Sequence, residues 1–174
     1  MAAQKSVWLV FGILVISAWV FGSVIETRAE TMNYKCYTWM NKREAVPVDD
    51  VEGHLVTLVQ RGGFYVFENG EVATIKRVSL NDLIKGAGWA VVYETITFAD
   101  GSTIVRKGQA TLGGTAGGAT ASVEATSEIV KGTGRFEGIK GTQRDRTKAL
   151  PVEKGEVGAK LHGEGTITYT LPTK

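Results

Sequence analysis

Residues 130–141 of the chain read Val-Lys-Gly-Thr-Gly-Arg-Phe-Glu-Gly-Ile-Lys-Gly. Four of the ten residues from Gly132 to Gly141 are glycine, and segments with alternating apolar residues lie on both sides. Glycine adopts positive φ and lets backbone segments approach closely, so the pattern predicts a compact corner between two strands. Phe136 is the one aromatic residue of the corner, and we expect it to seal the corner against a core.

The composition is that of one globular, all-β domain. The chain has 174 residues, 22 glycines and only three prolines, with many threonines and valines, which favours strands joined by tight turns. Cys36 is the single cysteine, which excludes an intramolecular disulfide and a metal site built on several thiolates. The formal net charge of +2 is too small to indicate nucleic acid as a partner.

The N-terminal residues 1–29 have the pattern of a targeting segment. Lys5 is followed by an uncharged apolar run from Val7 to Val24, which is typical of a signal peptide. Thr27-Arg28-Ala29 offers small residues for cleavage before Glu30. The run is also nearly long enough to span a bilayer, so an uncleaved membrane anchor stays open. Both readings place residues 30–174, as a single domain, outside the cytoplasm, either periplasmic or secreted.

The rest of the chain reads as eight or nine strands without a long helix. Turns are predicted at Arg61-Gly62-Gly63, Asn69-Gly70 and Asp100-Gly101, because these residues accept tight-turn geometry. Residues 41–52 read as a loop, and residues 80–85 as a loop or a single helical turn. An antiparallel meander leaves two raw edges unless it closes. We therefore predict a closed antiparallel barrel of about eight strands, with a two-sheet sandwich as the competing architecture.

The segment from Gly132 to Gly141, followed by a charged strand and a C-terminal strand, resembles the allene oxide cyclase and dirigent-like barrel superfamily. The likeness is strongest over residues 89–171. The resemblance implies a β-barrel. It is less specific for activity, because the superfamily includes a cyclase that acts on an oxidised fatty acid and plant proteins that steer radical coupling of phenols. No catalytic residue of the family can be matched to a position in this chain.

Strand alternation predicts which side chains point into the barrel. In the last strand Leu161, Ile167 and Tyr169 share the apolar face, so His162 points to solvent. Between 140 and 148 the basic residues alternate with Gln143 and Asp145, which places these two inside. If the turn at Asp100-Gly101 has three residues, Glu94 lies opposite Arg106; a two-residue turn puts Lys107 there instead.

These residues suggest a ligand site on the inner wall. Glu94, Arg106 and Asp145 would orient the polar end of a ligand, and Tyr93, Trp89 and Tyr169 would supply apolar walls. The small inward residues between Ala119 and Ile129 leave room for a cavity, unless bulky neighbours fill it. The competing interpretation of the charged residues is a structural salt-bridge network.

Other kinds of site have no sequence support. The two histidines, His54 and His162, lack metal-ligand spacing, and no serine lies in a nucleophile elbow. Residues 113–118 lack the lysine and helix of a phosphate loop, so no cofactor is predicted.

Three functions therefore stay open. The first is a non-catalytic exported barrel that binds a small apolar or amphipathic molecule in its interior. The second is an isomerase or cyclase that uses Glu94 with a raised pKa and Tyr93 as a donor. The third is a structural or interaction module that residues 7–24 hold at a membrane. The oligomeric state is not predicted by any of them.

Overall fold

The structure is a computed structural model that describes residues 29–115 and 119–173. It is a closed barrel in which each strand pairs antiparallel with the next and β8 pairs with β1. The strands are β1 (Glu30–Pro47), β2 (His54–Phe67), β3 (Val72–Ile84), β4 (Ala87–Phe98), β5 (Thr103–Gly114), β6 (Thr120–Thr133), β7 (Lys140–Ala149) and β8 (Leu161–Thr170), with one 3-10 helix at Gly134–Phe136. The predicted closed barrel is confirmed, and the sandwich alternative is wrong.

The predicted N-terminal signal or anchor, with its apolar run from 7 to 24, lies outside the described residues. Within the described ranges, no helix is both long and apolar enough to cross a membrane.

Three predicted breaks are in fact continuous strand. Residues 41–47 belong to β1, residues 80–84 belong to β3, and Gly62 and Gly63 lie within β2. Gly63 is needed for close approach and not for a turn, because a Cβ there would lie 2.4 Å from the backbone oxygen of Tyr37 on β1. Paired glycines in a strand mark such contacts as well as turns.

The glycine-rich corner has the predicted structure. Gly134 and Gly138 have φ values of +62° and +75°, which favour glycine. Phe136 is only 3% exposed, and its ring centroid lies 4.7 Å from that of Phe98 and 6.3 Å from that of Tyr169. Burial of such a side chain contributes about 1.5–3 kcal/mol. Phe136 therefore closes one end of the barrel.

The interior has three layers along the barrel axis. The corner end is filled by large apolar side chains: Phe67, Ile75, Ile96, Phe98, Ile104, Phe136, Ile167 and Tyr169. Charged side chains occupy the middle. The other end, which we call the mouth, has a smaller apolar cluster: Ala90, Val92, Ala110, Val123, Ala125 and Leu161.

Candidate functional site: a cavity at the mouth above a buried ionic layer

A cavity of about 640 Å³ opens at the mouth of the barrel. One wall is apolar and comes from β4, β5, β6 and β8: Ala90, Val92, Ala110, Leu112, Val123 and Leu161. The opposite wall comes from β2 and β3 and carries the polar lining residues Thr57, Arg61, Arg77, Ser79 and Asn81, with Leu55, Val59 and Leu83 between and beyond them. An apolar enclosure with a few convergent polar groups is the usual form of a small-molecule site.

The polar wall is partly ordered by its own hydrogen bonds. The Asn81 side-chain amide donates to the Thr57 hydroxyl at 2.8 Å. Below this pair, Arg61 on β2 lies directly opposite Arg77 on β3. The guanidinium of Arg61 donates from Nη1 to the backbone oxygen of Ala159 at 2.9 Å, which ties the mouth to the segment before β8. Donor groups therefore dominate this side of the cavity.

A row of charges crosses the barrel wall beneath the cavity. Strand register places Arg77 opposite Glu94 and Glu94 opposite Arg106 on β3, β4 and β5. Inward-facing residues at equivalent heights are close enough to pair. Asp145 on β7 completes this set, which we call the ionic layer: Arg77, Glu94, Arg106 and Asp145.

The ionic layer is held by charge-assisted hydrogen bonds. Glu94 accepts from Arg77 Nε at 2.5 Å and from Arg106 Nε at 2.8 Å. Arg106 also donates from Nη2 to Asp145 Oδ2 at 2.9 Å and from Nη1 to the Ser127 hydroxyl at 2.7 Å. Buried ions are tolerated when they are paired and hydrogen-bonded in this way.

Two tyrosines and a glutamine complete the layer on its corner side. Tyr65 donates its hydroxyl to Glu94 Oε1 at 2.6 Å, and Tyr34 stacks on it with ring centroids 4.1 Å apart. Gln143 Nε2 donates to the Tyr34 hydroxyl at 2.5 Å. Gly165 makes room for Tyr34, since a Cβ there would lie 2.2 Å from the tyrosine hydroxyl oxygen.

The electrostatics keep Glu94 ionised. Burial disfavours its charged form, but Arg106 and Arg77 together outweigh burial and lower the pKa of Glu94 to about 2. Burial, reinforced by the charge of Glu94, raises the pKa of Tyr65 above its ordinary value. The isomerase hypothesis required a raised pKa at Glu94, and the pKa is lowered instead. A general acid or base needs a pKa near the working pH, so Glu94 does not fit that role.

The predicted charged residues come together, but beneath the cavity rather than on its surface. Glu94, Arg106 and Asp145 are buried inside the barrel, with 1%, 0% and 3% exposure. Of the two turn lengths considered, the structure has the three-residue turn, with Glu94 opposite Arg106. Of the ionic layer, only Arg77 is among the described residues that line the cavity. The salt-bridge interpretation therefore describes this cluster best.

The three predicted aromatic wall residues do not line the cavity. Trp89 and Tyr93 are 52% and 49% exposed on the outside of β4. Their expected place on the inner wall is wrong because the inward position of Glu94 sends the odd-numbered residues of this strand outward. Tyr169 is buried, but in the apolar layer at the corner, where its hydroxyl donates to Glu30 at 2.7 Å.

Sequence reasoning missed most of the polar wall. Arg61 was assigned to a turn, and Arg77, Ser79 and Asn81 lie inside while Val78 and Leu80 are exposed. An alternating pattern shows that two faces differ and not which one is inside. The useful signal is strand register. When β2 and β3 are continuous strands, four charged residues on neighbouring strands lie directly opposite one another: Arg61, Arg77, Glu94 and Arg106.

A metal site is not formed by this arrangement. Within residues 29–115 and 119–173, no group of three or more histidine, cysteine, aspartate or glutamate side chains is placed to hold a metal ion. Cys36 is buried, and burial raises the pKa of its thiol to about 12.

Comparison with solved structures finds chains that are similar to this barrel. It is similar to the pterocarpan synthase dirigent protein PsPTS1, with a TM-score of 0.48 and 12% identity over 83% of this chain and 97% of the other. It is also similar to the pterocarpan synthase dirigent protein GePTS1, with a TM-score of 0.49 and 12% identity over 96% of this chain and 97% of the other.

The likeness to these two proteins says nothing about a ligand or a reaction. No protein-family model matches the sequence, and no curated protein matches it. A specific relation to allene oxide cyclases stays a prediction.

Proposed function

We propose that this protein binds a small amphipathic molecule in the cavity at the barrel mouth and does not transform it. The observation that carries the proposal is that one wall of the cavity is apolar, whereas the other combines hydrogen-bond donors with the apolar residues Leu55, Val59 and Leu83. The first can hold a hydrocarbon or aromatic body, and the second can orient a polar group. The cavity volume of about 640 Å³ lies in the range of small-molecule sites, roughly 300–1,000 Å³.

The ionic layer supports a binding role rather than a catalytic one. Glu94 is held as an anion by two arginines, and Tyr65 is held as a neutral donor to that anion. Neither group is poised to exchange a proton at neutral pH. The layer forms a rigid polar floor, with Arg77 as its contact to the cavity.

We also propose that the barrel works outside the cytoplasm. The support is the sequence pattern of residues 1–29, with a basic start and an apolar run. Under this proposal any membrane contact is made through residues 7–24. Mass spectrometry of the protein purified from its native host tests this: a chain beginning near Glu30 indicates cleavage, and an intact N-terminus in a membrane fraction indicates an anchor. Cytoplasmic recovery of the intact chain contradicts export.

Binding is tested by filling the cavity. Ala110 on β5 is buried in the apolar wall, and the next residue, Thr111, is exposed on the outside of the same strand. Native mass spectrometry of the full chain from its native host should show one co-purified small molecule. Ala110→Phe should lose it, because the ring occupies the cavity, while Thr111→Phe should keep it. Circular dichroism controls for folding. Retention of the molecule by folded Ala110→Phe, or its absence from the wild-type protein, contradicts the proposal.

A further inference from the structure

Arg61 carries a charge that the barrel does not balance. It lies directly opposite Arg77, and like charges at such a position repel each other. Arg77 is compensated, since it pairs with Glu94 at 2.5 Å and with Asp145 at 3.6 Å. Arg61 has no carboxylate within ion-pair distance among the described residues, and its one hydrogen bond there is to the backbone oxygen of Ala159. Arg61 therefore faces the cavity as an unmatched cation.

The remaining charges around the cavity do not supply the missing anion. Glu52 is the only acidic side chain among the described lining residues, and it pairs with Lys85 at 3.2 Å at the exposed rim. Arg43, which also lines the rim, adds another positive charge. In the ionic layer, Arg77 and Arg106 are matched by Glu94 and Asp145. The described surroundings of the cavity thus leave it positively charged, with Arg61 as the most enclosed unmatched group.

We propose that the ligand carries a single carboxylate that binds to the guanidinium of Arg61, with its apolar part against Val92, Ala110 and Leu161. This inference rests on the proposed binding function and adds the chemical class of the ligand. The planar guanidinium fork matches the two oxygens of a carboxylate. Arg61 is the only enclosed unmatched arginine among the described lining residues, because Arg43 lies at the exposed rim. One singly charged group therefore balances the enclosed charge, which favours a carboxylic acid over a more highly charged phosphate monoester.

The environment of Arg61 strengthens an ion pair with a ligand. Burial, followed by the charge of Arg77, lowers the pKa of Arg61 to about 10, so the group remains a cation at neutral pH. A guanidinium that is already partly removed from water loses less hydration when a carboxylate binds. Hydrogen bonds to charged groups contribute about 1.5–3 kcal/mol, which is roughly a tenfold to hundredfold gain in affinity.

Three probes with the same hydrocarbon chain and different head groups test the inference. Decanoate, decanol and decylammonium are titrated into the full-length protein at neutral pH by calorimetry. The wild-type protein should bind decanoate about tenfold or more tightly than decanol, and decylammonium most weakly. Arg61→Met should bring decanoate close to decanol, and Arg61→Lys should retain part of the preference. Arg144→Met, which removes the same charge from the exposed outer face of β7, should leave the preference unchanged.

The outcomes separate the two proposals. If none of the probes binds the wild-type protein, both the cavity-binding function and the carboxylate inference fail. If decanoate and decanol bind equally, or decylammonium binds most tightly, the carboxylate inference fails and cavity binding stands. If Arg61→Met keeps the full preference for decanoate, the assignment to Arg61 is wrong. The comparison of probes on the wild-type protein does not depend on how well any variant folds.

Discussion

The two ends of this barrel are built from the same strands and have opposite interiors. On β4, Phe98 and Ile96 fill the corner end, whereas Val92 and Ala90 line the cavity at the mouth. On β5, Ile104 likewise fills the corner end, and Ala110 lies at the mouth. Strand pairing continues across both ends, so side-chain size decides where the barrel is filled and where it is hollow.

The ionic layer separates these two ends. Glu94 lies between Ile96 and Val92 on β4, and Arg106 lies between Ile104 and Ala110 on β5. Removing ions from water is costly unless each is paired with good geometry. The pairs that Glu94 forms with Arg77 and Arg106, and that Arg106 forms with Asp145, meet that condition. Asp145 Oδ1 has no hydrogen-bond partner among the described residues, and Arg77 connects the layer to the cavity. The corner end is therefore filled, and the cavity proposed to bind a ligand lies at the mouth.

The largest effect should follow from breaking the ionic layer. Glu94→Gln leaves Arg77 and Arg106 with a single buried carboxylate, and loss of one partner from a buried ion pair costs about 3–5 kcal/mol. The free energy of unfolding, measured in urea, should fall by that amount. Glu128→Gln, the same change on the exposed face of β6, should stay within about 0.5 kcal/mol. A small effect at Glu94 would mean that the layer does not hold the barrel together.

A smaller loss of stability should distinguish the filled corner end from the hollow mouth. Phe136→Ala opens a void in a filled layer and should lower the free energy of unfolding by about 3–4 kcal/mol. Leu83 already lines the cavity, so Leu83→Ala creates no new enclosed void and should cost about 2 kcal/mol or less. Equal losses at the two positions, measured in the same urea series, would contradict the contrast between a filled end and a hollow end.

Local patterns were enough to predict the closed end and a cation opposite Glu94. The corner glycines and Phe136 act through backbone geometry over a few residues. Both turn lengths considered at Asp100-Gly101 place a cation opposite Glu94, and the three-residue turn of the structure makes it Arg106. Alternation with basic neighbours placed Asp145 inside. Each of these inferences needs only one strand or one hairpin.

The cavity wall could not be predicted in this way because it depends on distant strands. The Gly62-Gly63 pair suits a turn as well as a close strand contact, and the distinction requires knowing that Tyr37 passes over Gly63. A turn predicted at Arg61-Gly62-Gly63 would divide β2 at this point, and the pairing of Arg61 with Arg77 then cannot be predicted. Trp89 and Tyr93 cannot share the inner wall with Glu94, because even- and odd-numbered residues of β4 point to opposite sides, and the odd-numbered side is exposed at both positions.

Lowering the pH should remove the stability that the ionic layer contributes through Glu94. It should not change the stability that Phe136 contributes at the corner end. The pKa of Glu94 is lowered to about 2 in the folded protein, below an unfolded value of about 4.3. Its contribution to stability is therefore present above about pH 4.3 and is lost as pH falls toward 2. The stability difference between wild type and Glu94→Gln should shrink over that range, while the difference for Phe136→Ala stays constant. Parallel loss of both differences would point to general acid unfolding instead.

The smallest effect should appear at the rim of the mouth, where His54 joins the segment after β1 to β3. Its Nδ1 lies 2.6 Å from Asp50 Oδ1, and its Nε2 lies 2.9 Å from Asp82 Oδ1. The hydrogen bonds to Asp50 and Asp82 raise the pKa of His54 above its usual value of about 6.5. The raised value means that the stabilisation is present below about pH 6.5 and is lost as pH rises through the folded pKa.

An NMR titration of His54 measures this directly, and Asp82→Asn should lower its midpoint. Phe136→Ala should not move the midpoint, because that change affects only the corner end. Added salt should reduce the shift, since Asp50 is exposed and its charge is screened. A midpoint at or below about 6.5 in the wild-type protein would mean that the two carboxylates do not hold the rim. A midpoint that moves with Phe136→Ala would show that the two ends are coupled through the ionic layer rather than separated by it.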